Sequence, residues 1–189
     1  MARWQPDTPD RLRVAASELF AEQGFDETSV AQIADRAGLT ERTFFRYFAD
    51  KREVLFDGQE QLRSAFRTAV EAAPVGEPLL DLAERVVGGL SVFFSEERRA
   101  WSRRRAAIIT GHPGLQEREL LKMTTITSDL ADVFRARGLA AGASTVAAGT
   151  VVAIFHTAFA QWVASEETRD FAALAAAAVA DLRGALSGA

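Results

Sequence analysis

Apolar residues recur at helical spacing along the whole chain, and no stretch shows the period-two alternation of a half-buried strand. Leu12, Ala15, Ala16, Leu19 and Phe20 form the first stripe. Thr8-Pro9 opens it as an N-cap followed by a proline suited to the first helical position, and Gly24 stops it. Phe25 follows as a plug for the core. Val30, Ile33, Ala34 and Ala37 share one face of a second, short helix near 29–36. Ser29 caps it, with Gln32 placed to complete a capping box. Gly38 supplies the positive φ of a tight turn, and Thr40 caps a third helix near 40–47. Asp50, with Glu53 three residues on, opens a longer helix predicted over 50–73. Pro74-Val-Gly-Glu-Pro78 is the sharpest break in the chain.

The pattern then resumes. Leu79, Leu82, Ala83, Val86, Val87, Leu90 and Phe93 mark a fifth helix, in which Gly88-Gly89 permits a kink or close packing. Further helices are predicted over 97–110, 115–137, 144–166 and 170–186. The last carries Phe171, Leu174, Ala175, Ala178, Val179, Leu182 and Leu186 on one stripe. The fold class is all-α with about nine helices.

Two short helices joined by a glycine turn make a helix-turn-helix, whose second helix fits the DNA major groove. Val30, Ile33, Ala34, Leu39, Phe44 and Phe48 read as its core. Glu41, Arg42, Phe45 and Arg46 point outward. Arg42 is the candidate base reader, because its fork matches guanine O6 and N7. Thr40, Thr43, Tyr47 and Lys51 suit phosphates, which fix register. Thr28 and Ser29, at a helix start, offer a phosphate site aided by backbone amides. A solvated helix would also carry Arg and Glu, so spacing alone leaves both readings open.

Charge at first argues against DNA, since the 189-residue chain has a net charge of −4. Distribution matters more than the total. Between Arg36 and Arg52 there are five cations (Arg36, Arg42, Arg46, Lys51, Arg52) against Glu41 and Asp50. The chain is 48% hydrophobic and 25% charged, enough to bury a core. It has no cysteine, which excludes a disulfide scaffold and a thiolate zinc site and fits a cytoplasmic location. The opening MARWQPDTPD lacks the apolar core of a signal peptide. The run Gly138–Ser165 carries no charge, but its Ala, Gly, Ser and Thr content suits a protein interface better than a membrane span.

The run Gly38-Leu-Thr-Glu-Arg-Thr-Phe-Phe-Arg-Tyr-Phe-Ala-Asp-Lys51-Arg-Glu-Val-Leu55 closely resembles the DNA-binding signature of TetR/AcrR-type transcriptional regulators. Phe20, Gly24, Phe25, Thr28 and Ile33-Ala34 resemble the preceding part of that signature. The resemblance covers roughly residues 8–56. It implies an N-terminal three-helix DNA-binding domain over 1–56, with helix 50–73 as a link. A helical ligand-binding and dimerisation domain follows over 57–189. It also implies a homodimer on double-stranded DNA, a repressor on a palindromic operator, released by a small effector. Phe45 departs from the pattern, lying where the family commonly has Tyr, so any phosphate bond from that hydroxyl is lost.

In the second domain, helices 144–166 and 170–186 suit a two-chain four-helix bundle, with Ala158 and Ala178 as points of close approach. Arg98, Arg99, Arg103, Arg104 and Arg105 surround Trp101. They read either as a solvated basic helix or as a site for an anionic head group. Phe93, Phe94, Trp101, Phe134, Phe155, Phe159 and Trp162 read either as core or as a pocket lining. The candidate effector site is therefore Phe94, Trp101, Arg104, Arg105, Phe134, Phe155, Phe159 and Trp162. The stretch from Trp101 to Leu115 is similar to an actinobacterial subgroup of these regulators associated with acyl-CoA-like ligands, which implies an anionic, partly apolar effector. His112 and His156 are too few for a metal site, and His156 reads as a buried, hydrogen-bonded histidine. No catalytic constellation or cofactor motif stands out, so neither an enzyme nor a cofactor is expected. The rival reading is a dimeric small-molecule-binding protein whose helix-turn-helix no longer binds DNA.

Overall fold

The computed structural model describes residues 8–188, so the opening segment on which the signal-peptide reading rests lies largely outside it. Among the described residues there are helices, turns and loops and no strand. The order is α1 (Thr8–Gln23), α2 (Val30–Arg36), α3 (Glu41–Tyr47), α4 (Glu53–Phe56), α5 (Gln59–Glu71) and α6 (Leu79–Gly89). A 3-10 turn (Leu90–Phe93) follows, then α7 (Glu96–Thr110), α8 (Pro113–Ala136), α9 (Ala141–Trp162) and α10 (Phe171–Ser187).

The helix expected over 50–73 is broken in two, which raises the count among the described residues to ten. Gly58 sits at φ +85° and Asp57 at ψ 139°, neither of them helical. Arg13 of α1 holds the Asp57 carboxylate through its Nε at 2.7 Å. The Asp-Gly pair is itself a turn signal, overridden in the sequence by the apolar stripe that continues on either side.

The chain divides into two compact units. The first comprises residues up to Gly58 together with Arg104–Glu117, which return to it. Its core is α1 against α2, α3 and α4, built from Leu12, Ala16, Leu19, Phe20, Ile33, Phe44, Phe48 and Leu55, with Ile109 and Leu115 from the returning segment. The second comprises Gln59–Arg103 and Arg118 onward. There α6, α9 and α10 pack together, with α5 against α6. Phe66, Val86, Val151, Trp162, Phe171 and Leu174 are fully buried.

Helix α9 starts and stops about three residues earlier than the spacing predicts. Its end is set by arginines on α7. Arg99 donates through Nη1 to the Glu167 carbonyl and through Nη2 to the Arg169 carbonyl, both at 2.6 Å. Arg103 donates to the Ala164 carbonyl at 2.6 Å. In the loop they hold, the Arg169 guanidinium and the Arg169 and Thr168 amides bring the Glu167 carboxyl down to about 2.

Candidate functional site

The first unit is assembled around two capped helices. Ser29 Oγ accepts from the Gln32 amide at 3.2 Å, and Gln32 Oε1 accepts from the Ser29 amide at 2.8 Å, completing the expected capping box. Helix α2 ends in a Schellman turn. The Leu39 amide donates to the Ala34 carbonyl and the Gly38 amide to the Asp35 carbonyl, each at 2.8 Å. That turn requires Gly38 at φ +65°, and a Cβ there would lie 3.1 Å from an Arg11 Nη whose guanidinium also caps the Ala37 carbonyl. Gly38→Ala should therefore cost about 1–2 kcal/mol in unfolding free energy. Denaturant melts showing a loss below a few tenths would refute this account of the turn.

Thr40 restarts the chain as N-cap of α3. Its Oγ1 accepts from the Thr43 amide at 3.2 Å, and the two threonine hydroxyls are 3.0 Å apart. Only Phe44 is buried within the seven residues of α3. Glu41, Arg42, Phe45, Arg46 and Tyr47 are exposed and Thr43 is half-buried. Phe45 is 54% exposed, a large apolar ring left in water. Arg46 donates to the Tyr47 hydroxyl at 3.0 Å and lies 4.8 Å over its ring. Arg42 has no polar partner among the described residues, so its whole fork is available.

Two of the expected phosphate ligands are placed otherwise. Lys51 spends its three ammonium protons on the carbonyls of Phe25 (2.7 Å), Asp26 (3.0 Å) and Thr28 (2.9 Å), and sits 4.5 Å over the Phe25 ring. Thr28 is buried, and its hydroxyl donates to the Gly24 carbonyl at 2.8 Å. Both build the loop in front of α2. A third member of that loop was not foreseen in this role. His112 meets the Asp26 carboxylate through Nε2 at 3.0 Å. The Leu115 amide donates to its Nδ1 at 3.3 Å, which assigns the ring proton to Nε2. No local motif reveals this pairing, because the partners are 86 residues apart.

The positive charge of the segment also shrinks on folding. Arg36 is paired with Glu22 at 2.8 Å, which holds that carboxyl below the usual range. Arg52 is held by Asp50 through Nε at 2.9 Å, and Asp50 is likewise lowered. Within 36–52, Arg42 and Arg46 remain as the exposed cations without a carboxylate partner among the described residues. Asp50 Oδ1 accepts from the Arg52 and Glu53 amides in the turn before α4, whose N-cap is Arg52 and not the expected Asp50.

The residues proposed for an effector separate into two groups. Phe94, Phe155, Phe159 and Trp162 come together in the second unit with Phe171. Phe134 is buried in the same core, and Trp101 is half-buried on α7. The arginines do not join them. Arg104 is exposed and directed to Ser17 of the first unit, and Arg105 is buried there, donating to the Leu55 carbonyl and lying 5.2 Å over the Phe56 ring. Arg99 and Arg103 are engaged with carbonyls. Residues 99 and 103 are one helical turn apart and face the 164–169 loop, whereas 105 lies on another face of α7.

Comparison with known sequences decides the family. The profile described as "Bacterial regulatory proteins, tetR family" matches residues 12–57, and that described as "MftR C-terminal domain" matches residues 77–187. The chain belongs to the tetR family of bacterial regulatory proteins. It is 44% identical over 70 residues to the HTH-type transcriptional regulator TcmR of Streptomyces glaucescens, covering 37% of this chain and 31% of that protein. It is 35% identical over 89 residues to MftR of Mycobacterium tuberculosis, a proposed regulator of mycofactocin biosynthesis, covering 38% and 45%. The chain thus spans less than half the length of these relatives. Among solved structures it is similar to SmeT in complex with triclosan (20% identity, 95% of this chain and 91% of that one, TM-score 0.63). It is also similar to NalD of Pseudomonas aeruginosa, the secondary repressor of the MexAB-OprM multidrug efflux pump (23% identity, 94% and 95%, TM-score 0.59). At these identities the likeness shows the fold.

Proposed function

We propose that this tetR-family chain is a dimeric, cytoplasmic, ligand-responsive transcriptional regulator that represses by binding a palindromic operator. On this reading the first unit reads DNA, and the second holds the effector and the partner chain. The observation that supports it most is α3. A seven-residue helix exposes Glu41, Arg42, Phe45, Arg46 and Tyr47, and its one unpaired fork is Arg42. Packing accounts for none of these side chains, whereas a major groove uses all of them. Arg42 is the base reader, Phe45 an apolar contact such as a thymine methyl accepts, and Thr40, Thr43 and Tyr47 the phosphate ligands. Ser29, exposed at the start of α2, adds its amide end.

The test is a gel shift on the chain's own upstream DNA, followed by selection from random duplexes. Arg42→Ala should lose about 1–3 kcal/mol and relax preference at one base position. Equal weakening on every sequence would remove Arg42 from base reading. No shift on any duplex would favour the rival, a small-molecule-binding dimer without DNA binding. For the effector, the engaged arginines speak against an acyl-CoA-like anion as first choice and leave the aromatic cluster of the second unit as the candidate site.

A further inference from the structure

We infer that the aromatic cluster is a closed ligand box plugged by Phe94. Its ligand is a flat, neutral molecule bearing a hydrogen-bond acceptor, which replaces Phe94 and accepts from the Trp162 indole. This rests on the effector reading above and gives it a ligand class.

Two observations carry it. The first is an orphaned donor. Trp162 is fully buried, and its Nε1–H has no acceptor among the described residues. A buried N–H that gives up water without a replacement is costly, and folded proteins rarely keep one without a use. The second is the way Phe94 is held. Its ring stacks on Phe171 at 4.3 Å and meets Trp162 at 5.4 Å and Phe155 and Phe159 at 5.7 Å. The four surrounding rings stand on α9 and α10. Phe94 does not stand on a helix. It follows the 3-10 turn at φ −121°, ψ 54°, and is only half-buried. The walls are therefore fixed by helix packing, while the filler hangs from a link between helices. Rotating that one side chain opens a ring-sized space bounded by the rings of Phe155, Phe159, Trp162 and Phe171.

The chemistry of the box selects its occupant. Aromatic faces favour a flat π-system. An indole N–H donates only, so the occupant must present an acceptor such as a ketone, ether or quinone oxygen. Charge is disfavoured in both signs. The Arg99 guanidinium lies 5.3 Å over the Trp162 ring, which repels a cation. Its Nη1 and Nη2 donate to the Glu167 and Arg169 carbonyls and its charge is paired with the Glu96 carboxylate at 2.9 Å, which weakens its pull on an anion.

The test uses three probes of one size, acetophenone, cumene and benzoate, titrated into the full chain by calorimetry. Acetophenone should bind at least tenfold more tightly than the other two. Phe94→Ala should tighten acetophenone and cumene alike, because the box no longer has to open before binding. Trp162→Phe should remove the ketone's advantage and leave cumene unchanged. The indole proton resonance that disappears in Trp162→Phe should move downfield in the wild-type chain with acetophenone and stay in place with cumene. If Phe94→Ala does not fold, Phe94→Leu and the wild-type resonance decide. Equal binding of ketone and hydrocarbon, a ketone preference that survives Trp162→Phe, or no binding of either probe overturns the box. An effector that releases operator DNA equally from wild type and Trp162→Phe overturns the box while the effector reading stands. Acetophenone binding as described with unchanged operator affinity upholds the box and removes the effector reading.

Discussion

Lys51→Ala is expected to destabilise the first unit by about 2–3 kcal/mol, the worth of a charged group's hydrogen bonds lost from carbonyls that are then partly stranded. The ammonium holds the carbonyls of Phe25, Asp26 and Thr28 from one side, and His112 holds Asp26 from the other. Loss of the contact with the Phe25 ring adds a smaller cost, about 0.5–1 kcal/mol. The loop so held delivers Ser29 to the start of α2. Hydrogen exchange should show the amides of residues 24–30 opening first, ahead of α5–α10. Operator affinity should fall at every salt concentration with an unchanged slope, because no phosphate contact has been removed. A lysine on a phosphate would behave differently, since its loss lowers the slope of log K against log salt by about one. A flattened slope with undisturbed loop protection would return Lys51 to the DNA face.

The contrast between Lys51 and Ser29 shows where sequence reasoning succeeds. The Ser29–Gln32 box and the Gly38 turn are closed within a few residues, so their chemistry is written in adjacent letters. Lys51 finds its carbonyls 23 to 26 residues away, and Arg99 and Arg103 find theirs more than 60 away. A cluster of arginines then reads as free charge when its donors are already spent. The same holds for residues 104–117, which cluster with the first unit while the aromatic residues cluster with the second. Part of the aromatic cluster is legible in the sequence, because Phe155, Phe159 and Trp162 repeat along helix 144–166, whereas Phe94 comes from another segment. Phe171 was expected only as part of a core stripe, although it stacks on Phe94. Periodicity is weakest where a helix is apolar all round. On α9 it does not say which stripe faces the chain's own core. Ala158 and Ala178, expected at a dimer contact, are both buried inside one chain. His156, expected to be buried and hydrogen-bonded, lies exposed on α9.

The corrected face leads to the largest expected effect on DNA binding, from Ala153→Asp. Helix α9 exposes Thr145, Val146, Ala153, His156, Thr157 and Ala160, with Gly149 between them half-buried. Val146 is 66% exposed, and the helix has no charged residue over its 22 positions. A helix face of this length with no charge is poorly suited to water, and its small residues permit close approach of a second helix. His156 does not spoil it. Desolvation holds its imidazole below the ordinary value, with the Glu119 carboxylate opposing and the Lys122 ammonium adding to the shift. In a symmetric dimer the face meets its own copy, so one aspartate per chain places two carboxylates near the two-fold axis without partners. An uncompensated charge in such a place costs about 3–5 kcal/mol. Since Ala153 is exposed in the single chain, the helices themselves should survive, and circular dichroism should be unchanged. Sedimentation at micromolar concentration should show a monomer for the variant and a dimer for the wild-type chain. Operator affinity should then fall at least about a hundredfold, because two half-sites are no longer bound by one tethered pair. An Ala153→Asp protein that still sediments as a dimer would place the partner on another surface of the second unit.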